Sequence, residues 1–294
     1  MVRKYKITQR VKNKMFDTLM VIISLIAIML CLTPFLHEIA ISLSSNSAVL
    51  GGKVYIVPVE FNIMSYLNVI NDKSIIRSFI FTVGLTVLCT VVHLFMTILA
   101  AYPLSRRNLK GKKVIFTFML ITMYFGGGMI PNYLLVKSLG IRNTMWALIL
   151  PGMISTYYVI LFKSFFMNSI PTSIEEAAYL DGCGHISMFI KIIMPLSMPI
   201  IATISLFMIV GRWNGFQDAL MYIDKPKLYP LQLKLYQIVS NNMATDVSEA
   251  PGIVKVSSEG LKAATVMVIT LPILLAYPWL QKYFVSVNIG SIKG

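Results

Sequence analysis

The chain has 294 residues, of which 56% are hydrophobic and 13% charged, against about 25% charged in an ordinary water-facing domain. Mean hydropathy is +0.74, and so few charges cannot cover a globule, which leaves an integral membrane protein. Three cysteines with no CxxC or CxxxH spacing exclude a disulfide scaffold and a zinc module, and the lack of low-complexity tracts excludes a disordered chain. The net charge of +14 would suggest nucleic acid in a soluble protein. Here the Lys and Arg that collect on cytoplasmic flanks of membrane spans account for it. No basic helix with stacking aromatics stands clear of the apolar segments, so nucleic acid is not an expected partner.

A membrane span needs about 20 mainly apolar residues. After a basic N-terminus at 1–15, six stretches qualify: 16–36, 76–99, 114–136, 146–166, 192–210 and 263–283. The pattern therefore predicts an all-α integral membrane protein with six transmembrane helices. The first run is too long for a signal-peptide core and no A-x-A site follows it. Basic residues at 3–14 and 106–113, with Lys163, Lys191, Lys282 and Lys293, favour a cytoplasmic side that holds both termini. On that assignment 37–75 is extracytoplasmic, 76–283 forms the core, 284–294 is a cytoplasmic tail, and the longest outer segments are 38–75 and 214–262. Gly126, Gly127, Gly128 and Pro131 interrupt the third stretch, Pro151 the fourth, and Pro272 and Pro278 the sixth. Such breaks suit a bundle with an internal cavity, and helix packing alone accounts for them about as well.

No energy source is legible in the chain itself. Gly111-Lys112-Lys113 lacks the upstream Gly and the Ser/Thr of a phosphate loop, and no HExxH, GxSxG or Cys/His nucleophile pair occurs. His37, His93 and His185 are scattered; His93, in mid-span, reads as a partner for a neighbouring helix sooner than as a proton relay. No Asp or Glu lies deep within spans two to six, which argues against ion coupling. The chain reads as non-enzymatic, with no metal or cofactor of its own. Energy for any transport would come from another subunit.

The most informative segment joins spans four and five. It runs Pro171-Thr172-Ser173-Ile174-Glu175-Glu176-Ala177-Ala178-Tyr179-Leu180-Asp181-Gly182-Cys183-Gly184. Ser173 with Glu176 predicts a capping box, two glutamates suit a helix N-terminus, and two alanines form a helix face of little bulk. Gly182 and Gly184 permit a sharp change of direction. A capped connector is the plain reading of these features. The whole string, Glu176-Ala177-Ala178, three residues, Gly182, nine residues, Ile192, one residue, Met194-Pro195, resembles the EAA loop at 171–195 of binding-protein-dependent ABC import permeases, with Met194 where that pattern has Leu. Ala100-Ala101-Tyr102-Pro103-Leu104-Ser105-Arg106, Ile130 to Gly140, Phe165-Phe166, Trp213-Asn214, Gln281-Lys282-Tyr283-Phe284 and Gly290 to Gly294 resemble segments of the carbohydrate-uptake group of that family, the maltose-type inner permeases. The link before the last segment is one residue short.

The resemblance implies a type I ABC importer permease fold in a bacterial plasma membrane. It further implies that the EAA helix is a coupling helix seated on a separate ATP-binding subunit. Glu175, Glu176, Ala177, Ala178, Asp181 and Gly182 are the implied coupling residues. Two copies of that subunit would use ATP and Mg, beside a second, non-identical permease, an extracytoplasmic solute-binding protein and membrane lipid. Cargo would be a sugar or oligosaccharide, with Tyr124, Asn132, Tyr157, Tyr158, Asn214 and Gln217 as path candidates, because sugars stack on aromatic faces and bond to amides. Lys225, Lys227, Tyr229, Pro230, Leu231 and Gln232 make a candidate docking rim. Other readings are the same machine carrying a peptide, amino acid or polyamine, or a channel or scaffold without an ATPase.

Overall fold

The computed structural model describes the backbone of residues 2–106, 109–241 and 258–290, with side chains over 16–106, 109–171, 173–240 and 259–275. The motif residues at 281–284 and 290–294, the whole N-terminal basic cluster at 3–14 and Arg107 lie outside those side chains. Every regular element among the described residues is helical. The chain divides into two compact units, residues 1–72 with 238–270, and 73–237 with 271–294.

In the first unit, α1 (Val2–Ser42) is one helix through Pro34, six residues longer than the expected span at its C-terminal end. Its apolar stretch Phe16–Ser42 is long enough to cross a membrane, and the side chains from Phe16 to Phe35 are exposed all round, as a helix bathed in lipid would be. The segment after it is held by short-range polar bonds. Ser44 Oγ donates to Ala40 O (2.6 Å) and accepts from Val59 N (3.0 Å). Ser45 caps α2 (Asn46–Leu50) through Ala48 N. Ser45 and Ser47 both donate to the Glu60 carboxylate, and these bonds hold its pKa below the ordinary value. Ser42 Oγ meets Tyr66 Oη of α3 (Met64–Asn71) at 2.8 Å. Ala40, Ala48, Val49 and Val54 form the small core beneath. α15 (Ser258–Gly290) starts in this unit and continues through 284–290, which the sequence placed in a tail.

The second unit is built on α4 (Lys73–Ser105). The unit also holds α5 (Lys112–Tyr124), α6 (Met129–Ser138), α7 (Trp146–Ile149), α8 (Thr156–Asn168), α9 (Thr172–Leu180), α10 (His185–Met188), α11 (Met194–Leu196), α12 (Met198–Asn214), α13 (Gln217–Tyr222) and most of α14 (Leu231–Asn241), with α8 and α12 packed on α4. α4 supplies residues to two separate cores. Towards its N-terminal end, Leu85 and Cys89 pack with Val136, Ala147, Leu148, Ile149, Ala219, Tyr222 and Leu233. Towards its C-terminal end, in the lower core as against the upper one just described, Ile98, Ala101 and Leu104 pack with Val159, Phe162 and Phe166 of α8 and Ile200, Ile204 and Met208 of α12.

Among the described residues, continuous spans are fewer than the apolar stretches. Phe16–Ser42 and Lys73–Ser105 pass as single helices; α5 with α6, and the 185–196 segment with α12, pass only as pairs bent by 114° and 74°. The first bend uses the expected glycines, ending at Gly128 with φ +86°, a backbone open to glycine and strained for other residues. The second lies at Ser197, after a π-helical turn at Phe189–Ile193. The fourth stretch breaks after α7, as Pro151 predicts. That break deprives the Leu148 and Ile149 carbonyls of helical donors, and side chains supply them. His93 Nε2 lies 2.8 Å from Ile149 O, Arg212 Nη1 donates to Leu148 O at 3.3 Å, and Cys89 Sγ reaches the same oxygen at 3.8 Å. His93 is thus a helix-to-helix bond, as its plain reading expected.

Phe162 is fully buried and stacked on Phe166 at 5.8 Å. Phe162→Ala is expected to destabilise the protein by about 3–5 kcal/mol, read as a lowered thermal midpoint in mild detergent. Phe95→Ala, on the exposed side of α4, should change stability by no more than about 0.5 kcal/mol.

Candidate functional site

α9 begins at Thr172, with Pro171 in extended backbone (φ −61°, ψ 137°) as the preceding residue and no side-chain cap bond. The expected capping box is therefore absent. Ser173 lies inside the first turn, two positions past the N-cap residue Pro171 and so too far along to cap it. Glu175, in the same turn, is committed elsewhere: its carboxylate is ion-paired with the Arg106 guanidinium at the end of α4.

Arg106 is itself fixed on several sides. Its Nε donates to Ser105 Oγ at 3.0 Å, its guanidinium lies 4.5 Å from the centre of the Tyr102 ring, and its carbonyl accepts from Lys112 Nζ at 3.1 Å. Tyr102 meets Phe166 of α8 edge-on at 5.9 Å and Phe189 of the π-helical turn at 4.6 Å. The chain Glu175–Arg106–Tyr102 therefore joins α9 to α4, α8 and the start of the next membrane segment. Charge-assisted and cation–π contacts of this kind fix orientation as well as distance.

The two faces of α9 differ. Ala178 is buried against the lower core with Cys183 beside it, so Glu175 and Ala178, three residues apart, form the inner face. Glu176, Ala177, Tyr179 and Leu180 are exposed, Leu180 by 86%. Glu176 has no hydrogen bond or ion pair among the described residues. The two adjacent carboxylates thus do different things, one bound within the chain and one presented outward.

The end of the helix carries what its start lacks. Cys183 N donates to Ala178 O (2.9 Å) and Gly182 N to Tyr179 O (3.1 Å), the paired bonds of a Schellman ending. Gly182 takes φ +74°, and the Tyr179 and His185 rings lie 6.4 Å apart across the turn. Asp181 is the exposed C-cap residue. The sequence signalled this turn through Gly182. It gave no sign of the Arg106 contact, which spans 69 residues, beyond placing Arg106 in a recognisable string.

The six path candidates are not gathered into one site. Tyr124 ends α5, Asn132 lies in α6, Tyr157 and Tyr158 open α8, Asn214 ends α12 and Gln217 opens α13. Tyr157 and Tyr158 are 5.6 Å apart, ring to ring; no other hydrogen bond or ring contact joins two of the six among the described residues. Asn214 accepts from Gln232 at 3.4 Å. The expected docking rim is also divided: Pro230 and Leu231 are buried, and Leu231 N donates to Thr82 Oγ1 at 2.7 Å. Lys225 and Lys227 remain exposed. Beside them Asn143 and Arg142 both bond to Asp224, and the Asn143 bond, then the Arg142 charge, hold that carboxyl below its ordinary pKa. Arg212 and Asp218 form a third ion pair, two-point, at 2.5 and 3.1 Å.

Comparison with known proteins places this arrangement. Residues 94–286 match the family of binding-protein-dependent transport system inner membrane components, which includes α9 and Arg106. The chain is 41% identical over 286 residues to the polygalacturonan/rhamnogalacturonan transport system permease protein YtcP of Bacillus subtilis, covering 96% of this chain and all of that one. It is 28% identical over 245 residues to the melibiose/raffinose/stachyose import permease protein MelC of the same organism, covering 82% and 84%. Among solved structures, a bacterial ABC transporter involved in import of the acidic polysaccharide alginate superposes with a TM-score of 0.85 at 28% identity, over 93% of this chain and 98% of that one. The chain belongs to the family of binding-protein-dependent transport system inner membrane components.

Proposed function

We propose that the chain is the permease subunit of an ATP-driven importer of a sugar or oligosaccharide, delivered by an extracytoplasmic solute-binding protein. Support for the cargo class comes from the relatives, since the pectic-polymer permease, the raffinose-type permease and the alginate transporter all handle saccharides. In this reading the broken helices count as spans, six in all, and both termini lie in the cytoplasm with α9. Two copies of an ATP-binding subunit, using ATP and Mg, and a second permease complete the machine.

The observation that carries the mechanism is the division of labour between Glu175 and Glu176. A subunit that receives a push from an ATPase needs one surface to meet the partner and one to pass the displacement on. Glu176, Ala177 and Leu180 offer the first. Glu175, through Arg106 and Tyr102, offers the second, because it ties α9 to the end of a helix running through both cores. The Schellman ending stiffens the far end of α9, so the helix moves as a rigid body.

Purification from native membranes in mild detergent should recover an ATP-binding subunit, a second permease and a binding protein; recovery of the chain alone would remove the importer reading. Glu176→Ala is expected to weaken association with the ATP-binding subunit. Glu175→Gln and Arg106→Gln should leave association intact and lower uptake per ATP hydrolysed in proteoliposomes by about fivefold or more. The charge-reversed pair Glu175→Arg with Arg106→Glu should recover much of that loss, and a double mutant no better than the singles would show that the pair does not transmit.

A Cβ at Gly182 would meet no atom within 4 Å, so Gly182→Ala costs only backbone strain, about 1–2 kcal/mol. The expected readout is faster amide hydrogen exchange at Gly182 and its neighbours, with Gly182→Asn milder than Gly182→Ala.

A further inference from the structure

At the end of α4 that carries Lys73 lies an open cleft of about 500 Å³, lined by Lys73, Ile76, Arg77, Ile80 and Phe81 of α4 and by Lys227. Residues 73, 76, 77, 80 and 81 recur at helical spacing and so share one face. Lys227 comes from the 3-10 turn Pro226–Leu228. That turn is held rigidly: Leu228 N donates to Lys225 O at 2.9 Å, Leu228 and Tyr229 pack against the upper core, and Leu231 N is bonded to Thr82 of α4. All three cations are exposed. None has an acidic partner among the described residues, and no carboxylate lines the cleft.

The remaining lining is apolar, without a hydroxyl or amide group. The cations offer donors but the lining holds no side-chain acceptor for a neutral saccharide's hydroxyl protons, so the surface suits a molecule with an anionic head and a hydrocarbon body better. The apolar lining also continues beyond the cleft. Ile76, Ile80, Val83 and Val87 form an exposed stripe down the same side of α4. At 1.5 Å per residue it runs about 16 Å, close to the roughly 15 Å depth of one leaflet of a 30 Å hydrocarbon core.

We infer that this cleft is a binding site for an anionic phospholipid, its headgroup phosphate held by Lys73, Arg77 and Lys227 and an acyl chain lying along Ile76, Ile80, Val83 and Val87. Three cations converging on one anion at a membrane surface favour an acidic over a zwitterionic headgroup, by about fivefold for each Lys or Arg. The site uses neither α9 nor any path candidate, and it shares only Lys227 with the docking rim expected from the sequence. It gives the outer end of α4 an anchor in the bilayer.

The test is native mass spectrometry of the intact transporter, purified in mild detergent and exchanged into bilayer discs of phosphatidylcholine containing one-fifth phosphatidylglycerol. The wild-type protein should retain phosphatidylglycerol that the Lys73→Gln/Arg77→Gln/Lys227→Gln variant loses, with unchanged thermal midpoint. Lys227→Gln alone, on a surface turn, should lower occupancy by about fivefold and serves if the triple variant misfolds. Ile80→Asn should lower retention with all three cations present, as a bound acyl chain requires. Equal retention by wild type and variants would overturn the proposal. So would displacement of the lipid by millimolar inorganic phosphate or by an oligogalacturonate, which would mark a site for a soluble anion or an acidic saccharide.

Discussion

Lipid offers no hydrogen bonds, so every interruption of a membrane helix has to be repaired by the protein itself. The fourth apolar stretch shows this most clearly. Pro151 ends α7 after a single turn, and the carbonyls of Leu148 and Ile149 are taken by Cys89 and His93 of α4 and Arg212 of α12. Arg212 is balanced in turn by Asp218, which turns a costly buried charge into a paired one. The break in one helix thus dictates the polar residues of two others. Elsewhere hydroxyls only add to carbonyls that already have a donor: at the bend before α12 Ser197 Oγ joins Ser197 N on Ile193 O, and at the start of α8 Thr156 Oγ1 joins Thr122 Oγ1 on Met119 O.

Rigidity in this molecule is unevenly distributed, and α4 is where it concentrates. One helix contributes Leu85 and Cys89 to the upper core, Ile98, Ala101 and Leu104 to the lower one, and Tyr102 and Arg106 to the link with α9. Close-packed cores transmit strain without absorbing it. On the proposed coupling role, a displacement entering at Glu175 would meet a short run of aromatic and charged contacts and then a continuous helix. The bent segments, by contrast, lie beside this post: α5 with α6, and the π-helical turn before α12. Helix hinges of that kind supply the freedom that the post lacks.

Much of this was legible in the sequence, for identifiable reasons. Apolar runs, the Gly126–Gly128 and Pro151 breaks and the Gly182 turn are local signals, and each reappears in the fold. The EAA string placed a short helix in the 171–195 loop, since it is a contiguous pattern, and α9 lies there. The capping box failed because Pro171 starts the helix at Thr172, two residues ahead of where a Ser173 cap would start it, and the choice between such close starts lies below what spacing can resolve. The Arg106–Glu175 pair could not be read because nothing in a sequence periodicity joins residues 69 positions apart. Pro230 and Leu231 looked like surface because they sit in a polar loop; the Thr82 hydroxyl that draws Leu231 inward lies 149 residues earlier. Path candidates chosen by residue type alone scattered, because Tyr and Asn serve helix ends and membrane interfaces as readily as ligands.

The repair of α7 also sets an order of assembly. Leu148 emerges from the ribosome 64 residues before Arg212, an interval of roughly 3–13 s at ordinary synthesis rates. During that time the short helix has only α4 to satisfy its open carbonyls, and its final pairing waits for the fifth apolar stretch to arrive. The upper core can therefore close only after α12 has been made, although α4 and α7 are already in the membrane. A chain truncated ahead of Arg212 would hold a half-repaired helix in lipid, the kind of exposed polar backbone that membrane quality control is built to find.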